Sequence, residues 1–382
     1  MANWRRSTWG DEISLEYGKG IRDYADASGP VRVFGTNGPV GWSDTPLADG
    51  PGVILGRKGA YRGVHYSPDP FFVIDTAYYA VAKTELDMRW LYYAMIHHEL
   101  GKIDDGSPIP STTRAAVYPR ELEVPELAEQ RDIAGVLASL DDKIEQNRRT
   151  ASSLEELARA IFRAWFVDFE PVKSKAAGAA SFPSMPQTVF DALPASLTTS
   201  AFGAIPQGWD VKPLDEIFVL QRGFDLPKRR RTEGPYPVLA ASGPNGTHSE
   251  FKVRGPGVTT GRSGVLGKVF FVQEDYWPLN TTLWIKEYRR SNPWHAYFLL
   301  QTLDLAGFNA GSAVPTLNRN HLHTLVVASP TADVLSSFAT IAKPFFELQG
   351  HFASESRKLA ELRDYLLPKL LSGKVRVGES NA

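Results

Sequence analysis

Displaced by 205 residues the chain falls on itself, and this repeat limits the possible folds more than anything else in the sequence. GPGVILGRKG at Gly50–Gly59 lands on GPGVTTGRSG at Gly255–Gly264. At the same displacement Trp4 meets Trp209, Gly38-Pro39 meets Gly243-Pro244, Asp75-Thr76 meets Asn280-Thr281, and Gly106-Ser107 meets Gly311-Ser312. Pro110, Arg114 and Pro125 meet Pro315, Arg319 and Pro330, and Leu154-Glu155-Glu156-Leu157 meets Leu359-Ala360-Glu361-Leu362. The register holds without a gap from about residue 29 to residue 166. Chance does not keep one displacement over such a length, so the chain must fold as two copies of one design.

Each copy ends in an apolar seam. Between Pro125 and Asp168 the residues Ile133, Leu137, Leu140, Ile144, Asn147, Ala151, Leu154, Ala158, Ile161 and Trp165 recur at alternating steps of four and three. That heptad spacing predicts one long helix in need of a partner helix. Its length would be on the order of 65 Å. Asn147, the sole polar seam residue, suits a position that sets register. The second copy, from about Asp333 to Leu371, places Phe338, Ala342, Phe345, Phe352, Leu359, Leu366 and Leu370 on the equivalent seam, with Pro344 expected to kink or restart the helix. Two such helices in one chain are expected to pair with each other, antiparallel, leaving a domain at each end related by an approximate two-fold axis.

The expected fold class is therefore α+β: two similar α/β domains separated by a long antiparallel two-helix coiled coil. Residues 1–125 form the first domain, 126–170 the first helix, 171–204 a connector, 205–330 the second domain, 331–373 the second helix and 374–382 a tail. Short runs such as Val31–Phe34, Gly52–Leu55 and Phe71–Ala82 predict strands, and Asp87–Leu100 predicts a helix. Pro171 to Ala204 is rich in Ala, Ser and Pro and reads as a connector with one short helical turn. Lys374–Val377 is expected to return to the first domain as an added strand.

Hydrophobic residues at 43% exclude disorder as the main state. No apolar run reaches the roughly 20 residues of a membrane span, and the absence of cysteine removes disulfides, thiolate metal sites and zinc fingers. The two arginines near the N-terminus precede no apolar core, so no secretory signal is expected and the cytoplasm is the expected compartment. Net charge is −1 overall but +4 for residues 201–330 and −4 for 126–170, so any DNA binding must rest on local patches. Two similar domains at a fixed spacing suit an extended, repetitive ligand, and duplex DNA is the obvious one; copies that diverge outside their framework would read different half-sites.

The order domain, helix, domain, helix resembles the specificity subunit of type I restriction-modification systems. The likeness is carried by Pro125, Glu129-Gln130 and the seam that follows, by IFRAWFVDFEPV at Ile161–Val172, and by the domain openings IPQGWDVKPLDEI at Ile205–Ile217 and NWRRSTWGDEI at Asn3–Ile13. The resemblance implies a non-catalytic subunit, with two target-recognition domains, that reads a bipartite DNA target in phage defence. It also implies a scaffold for two modification (methyltransferase) subunits and for restriction (translocase and nuclease) subunits. S-adenosylmethionine, ATP and magnesium are then expected on those partners, with no cofactor bound by this chain. The residues agree independently. No Asn/Asp-Pro-Pro-aromatic motif occurs, the histidines form no HExxH, and Gly261–Val269 fails as a P-loop because Arg262 precedes Gly267 by five and Val269 follows Lys268.

Candidate DNA-reading residues sit in the paired glycine-rich stretches. Arg57 and Arg262 are placed to take a guanine edge or a phosphate, or else to hold a tight turn. Lys58, Tyr61 and Arg62 differ from Ser263, Leu266 and Gly267 and are the candidates for discrimination. Arg222 with Lys228-Arg229-Arg230-Arg231 is the strongest basic patch, a phosphate contact, since adjacent cations repel unless an anion neutralises them, or else a solvated loop. Asn37, Ser242, Asn245 and His248 lie in loops where they could read adenine, or serve as ordinary turn residues. Arg114 and Arg319 either touch DNA or brace the start of the helix.

Two other classes remain. A nuclease or methyltransferase carrying its own recognition domains would need a carboxylate cluster or a cofactor motif. A duplicated scaffold or carbohydrate-binding protein would leave IFRAWFVDFEPV unexplained.

Overall fold

The computed structural model describes residues 4–104, 106, 110–200, 203–309 and 315–378; Asn3, Ser107, Gly311 and Ser312 of the motifs above lie outside them. The chain forms two compact units, residues 1–146 with 355–382, and residues 147–354. Each unit holds one copy of the repeat and a length of both long helices.

In the first unit, strand Arg5–Thr8 pairs antiparallel with Glu121–Val124, which closes the copy just before its long helix begins. A four-stranded antiparallel sheet runs in the order Ile13–Tyr17, Ala77–Ala82, Gly52–Gly56, Val64–Ser67. Gly52–Gly56 is buried at all five positions, as a near-continuous apolar run requires. Ile13–Tyr17 buries only Ile13 and Leu15, the alternation of a sheet with one wet face. Helix Met88–His97 covers the sheet with Trp90, Leu91, Tyr93, Ala94 and Met95, and the Asp87 carboxylate caps it by accepting the Arg89 and Trp90 N–H groups at 3.0 and 2.9 Å. The run expected as one strand over Phe71–Ala82 is two. The Ala77 N–H donates to Ile74 O at 3.1 Å in a tight turn, and Phe71–Val73 joins a second, three-stranded sheet beside Val31–Gly35 and Gly38–Ser43.

The second unit repeats this plan. Its sheets are Phe218–Arg222, Thr282–Tyr288, Gly257–Gly261, Val269–Val272, and Gly243–His248, Tyr236–Ala240, Trp277–Pro278, with Asp210–Pro213 paired to Val326–Ser329 and helix Pro293–Thr302 alongside. The displacement of 205 runs from Arg5–Thr8 to the long helices, which extends the gap-free register toward the N-terminus from residue 29. Gly18 and Gly223 show why some framework glycines match. A Cβ there would sit 2.0 Å from Ile74 O and 2.2 Å from Leu279 O, so no larger residue fits either copy.

Leu127–Phe166 is one unbroken helix of 40 residues and Ala332–Leu370 one of 39. Every predicted seam residue on both is buried or half-buried, Asn147 included at 1% exposure. The pairing is antiparallel. In the first unit Arg363 Nη1 donates to Asp141 Oδ1 at 2.7 Å while Lys143 faces Glu355 at 3.9 Å. In the second, Gln349 Nε2 donates to Ala151 O at 2.8 Å, and the Phe162 and Trp165 rings lie 5.8 and 6.2 Å from Phe338. Pro344 does not divide its helix. It removes one backbone hydrogen bond, and the buried Phe338, Ala342 and Phe346 around it hold the element together.

IFRAWFVDFEPV acquires a physical reason. Ile161, Phe162, Trp165, Phe166, Phe169 and Val172 are all buried in the core of the second unit, where Phe166 meets Trp209, His295 and Phe338. The connector is also more ordered than its composition suggests. Helices Glu170–Ala176 and Gln187–Ala192 and the hairpin Leu197–Ser200 with Gly203–Pro206 occupy it, and Met185, Phe190 and Leu193 bury themselves in the same core. At the C-terminus Leu367, Leu370 and Leu371 enter the core of the first unit. Residues 374–378 form no strand there; Arg376 lies 3.7 Å from Glu129, and the Val375 N–H turns back to Lys369 O.

Candidate nucleic-acid interface

The two glycine-rich loops are held by one set of backbone hydrogen bonds. Arg57 and Lys58 donate their N–H groups to Thr76 O, as Arg262 and Ser263 do to Thr281 O. Gly59 donates to Pro110 O and Gly264 to Pro315 O, while Thr112 and Leu317 donate back to Arg57 O and Arg262 O. Gly59 and Gly264 both take positive φ, 110° and 93°, which glycine alone adopts readily. Each loop is thus a rigid platform, and what differs is what it carries.

In the first unit the arginines hold the platform. Arg57 donates from Nε and Nη2 to Asp75 O at 3.2 and 2.7 Å, with its guanidinium over the Tyr17 and Tyr78 rings. Arg62 is committed to three acceptors: Thr112 Oγ1 at 3.1 Å, Gly59 O at 2.5 Å and Ile103 O at 2.9 Å. Lys58 is exposed, and Tyr61, 79% exposed, is the loop's free aromatic. In the second unit Arg262 makes, among the described residues, only a long side-chain contact, Nη1 to Asn280 O at 3.4 Å, and Ser263 bridges to Thr316.

The basic run is split in the same way. Lys228–Arg230 forms an exposed 3₁₀ turn with no side-chain hydrogen bond or ion pair among the described residues. Arg231 turns inward, donating from Nη1 to both Asn245 O (2.6 Å) and Asn245 Oδ1 (2.9 Å), so Asn245 anchors the turn. His248 is buried, its Nδ1 among the polar atoms of Thr232 and its ring 5.2 Å from Trp277. Asn37 and Ser242 are exposed.

Arg114 and Arg319, equivalent in the repeat, have different surroundings. Arg114 Nε donates to Leu15 O at 2.6 Å, its Nη2 lies 3.5 Å from Glu16, and its guanidinium stacks 4.5 Å over Tyr17. The Arg319 side chain is exposed and makes no hydrogen bond or ion pair among the described residues. It lines a cleft of about 710 Å³ with Arg222, Lys286, Asn320 and His323. Lys286, Asn320 and His323 are additions to the sequence-derived set. The signal was available in the repeat, where Lys286 replaces Val81 on the exposed face of the equivalent strand. No group of three or more His, Cys, Asp or Glu residues suited to a metal ion occurs among the described residues, and no described helix is long and apolar enough to cross a membrane.

A duplicated frame with matched platforms and unmatched tips defines a class: a protein of two like domains that expose different side chains from equivalent loops. Comparison with known proteins narrows it. The chain is 24% identical over 333 residues to the type I restriction enzyme MjaIX specificity subunit of Methanocaldococcus jannaschii, covering 78% of this chain and 72% of that one. It is 24% identical to the type I restriction enzyme HindI specificity subunit of Haemophilus influenzae, covering 70% and 71%. The crystal structure of the type I restriction-modification S subunit from M. genitalium shares the fold, with a TM-score of 0.64 over 97% of this chain and 96% of that one at 17% identity. No model of a known protein family matches the chain. The resemblance to type I specificity subunits is borne out: this chain is their relative in sequence, and it shares the fold of one.

Proposed function

We propose that this chain is the DNA-recognition subunit of a type I restriction-modification complex and reads an asymmetric, bipartite target without chemistry of its own. The observation that carries the reading is the contrast inside the repeat. The hydrogen bonds that build the two glycine-rich platforms are the same, while the side chains they present, Lys58 and Tyr61 against Ser263 and Leu266, are not, and Arg62, which braces the first loop, has only Gly267 as its counterpart. One frame with two tips is what two unlike half-sites require.

The same repeat supports two modification subunits as partners. Leu157 and Leu362 occupy equivalent positions on the two long helices and are 49% and 45% exposed, so the chain offers one apolar docking residue twice. Restriction subunits complete the proposed complex. S-adenosylmethionine, ATP and magnesium belong to those partners, and the cytoplasm is the compartment where they would meet DNA. Sequencing of methylated adenines in cells carrying the intact system tests the reading: modification at a split site with unlike halves is expected, and methylation without sequence preference would sink it.

A further inference from the structure

We propose that the two copies bind DNA unequally: the second carries a clamp for the phosphodiester backbone, formed by Arg222, Lys286 and Arg319, that the first lacks. The inference rests on the proposed function and adds to it a division of labour that the duplication alone would not suggest.

The clamp arises from replacements at matched positions of one frame. Arg222 stands where the first copy has Tyr17, and Lys286 where it has Val81. Gln221 replaces Glu16, which removes a carboxylate; against this, Phe224 replaces Lys19 and Asp225 replaces Gly20, so the gain in positive charge comes from Arg222 and Lys286. All three clamp cations line one open cleft in the second unit. Among the described residues only Arg222 of the three has an ion-pair partner, Asp225 at 3.7 Å, and Asp225 also accepts from Asn280. Three cations and one carboxylate, Asp225, line the cleft and leave it net positive, and its polar neighbours Asn320 and Gln221 can donate hydrogen bonds to phosphate oxygens.

Arg114 shows why the first copy cannot do the same. It is the partner of Arg319 in the repeat, but its guanidinium is held by Leu15 O, Glu16 and the Tyr17 ring. The Tyr17 that fixes it is the residue the second copy replaces with Arg222. A single exchange therefore both adds a cation to the second cleft and removes the ring that would have held Arg319 against its own sheet. The free arginine and the added one belong to the same change.

Phosphate contacts are independent of sequence, so the test uses the full-length chain and duplex DNA of arbitrary sequence, titrated over a range of salt. Arg319→Ala combined with Lys286→Ala should weaken binding uniformly across sequences and reduce the slope of log affinity against log salt by about 0.9 for each phosphate no longer neutralised. Both side chains are exposed, so the variant is expected to unfold at the wild-type denaturant midpoint. Arg114→Ala should lower that midpoint and leave the salt slope as it was. A double variant that keeps the wild-type slope, or an Arg114→Ala slope that falls as far as the double variant's, overturns the clamp. If the wild type binds neither arbitrary duplex nor its methylation target, the proposed function fails, and the clamp with it.

Discussion

His323 Nε2 accepts the Leu220 N–H at 3.0 Å, where in the first copy the Tyr118 hydroxyl accepts the Leu15 N–H at 3.0 Å. The duplication has kept the bond and changed the acceptor, and the change makes the second copy sensitive to acid. Nε2 accepts only while it is unprotonated. Burial lowers the His323 pKa, Asp215 opposes that, and Arg319 and Arg289 add to it. Burial also lowers His98 to about 4, helped by His97 and Arg120, and lowers His295 to about 3. From about one pH unit above 6.5 these rings are neutral in both folded and unfolded chains, and stability is flat with respect to them. As pH falls below that value the unfolded chain takes up protons that the folded chain refuses, so stability declines until the folded pKa values are reached, by up to about 1.4 kcal/mol per pH unit for each histidine. Urea midpoints at pH 7.5 and 5.5 should differ accordingly, and His323→Tyr, which restores the acceptor of the first copy, should reduce the difference. Equal midpoints for the wild type at the two pH values would contradict the account.

Arg62 and Tyr61 are neighbours with opposite assignments. The three acceptors around the Arg62 guanidinium tie the loop to Thr112 and Ile103, whereas Tyr61 touches little of its own chain. Arg62→Ala should therefore destabilise the fold by roughly 1.5–3 kcal/mol, the range for hydrogen bonds of a charged group. Tyr61→Ala should leave the denaturant midpoint in place and alter the methylated sequence or the affinity for it. A Tyr61→Ala variant that is unstable, or one that reads and binds its target like the wild type, would contradict the assignment.

Asp141 joins the helix pair to the first domain. It accepts from the Tyr93 hydroxyl at 2.6 Å and from Arg363 Nη1 at 2.7 Å, and burial followed by the bond to Asp141 raises the Tyr93 pKa. Asp141→Ala removes the acceptor of the Tyr93 hydroxyl and leaves Arg363 with Asp364 alone, and should cost about 1–3 kcal/mol. Combined with Tyr93→Phe, the losses should fall short of additive by about 0.5 kcal/mol or more, since the two share one hydrogen bond. Strict additivity in a double-mutant cycle would show that the bond contributes nothing to docking the domain.

Much of this arrangement was legible in the sequence because it is written in periods. The heptad from Ile133 to Trp165 placed both seam and partner, and the glycine framework placed the two platforms. What was not legible depends on the third dimension. Whether Arg114 and Arg319 turn outward or brace the fold depends on Tyr17 and Glu16, distant in sequence from Arg114. Phe71–Ala82 reads as one apolar run because both its halves are buried, in different sheets. The connector's Ala, Ser and Pro conceal Met185, Phe190 and Leu193, few in number but sufficient to anchor it in a core supplied by other segments.

The length of the paired helices yields the last prediction. Ala151 O and Gln349 Nε2 face each other at 2.8 Å, so an insertion after Ala151 must be matched by one at Gln349 to keep the pairing. One heptad added to each helix preserves the seam and lengthens it by about 10 Å. If the helices act as the ruler between half-sites, the methylated target should keep its bases and gain about three base pairs of spacer, at roughly 3.4 Å each. An insertion in one helix alone should break the seam and lower stability without yielding a new target. Mapping methylated sites for the matched pair separates the outcomes, since a spacer of unchanged length, or half-sites with altered bases, would mean that something other than helix length sets the gap.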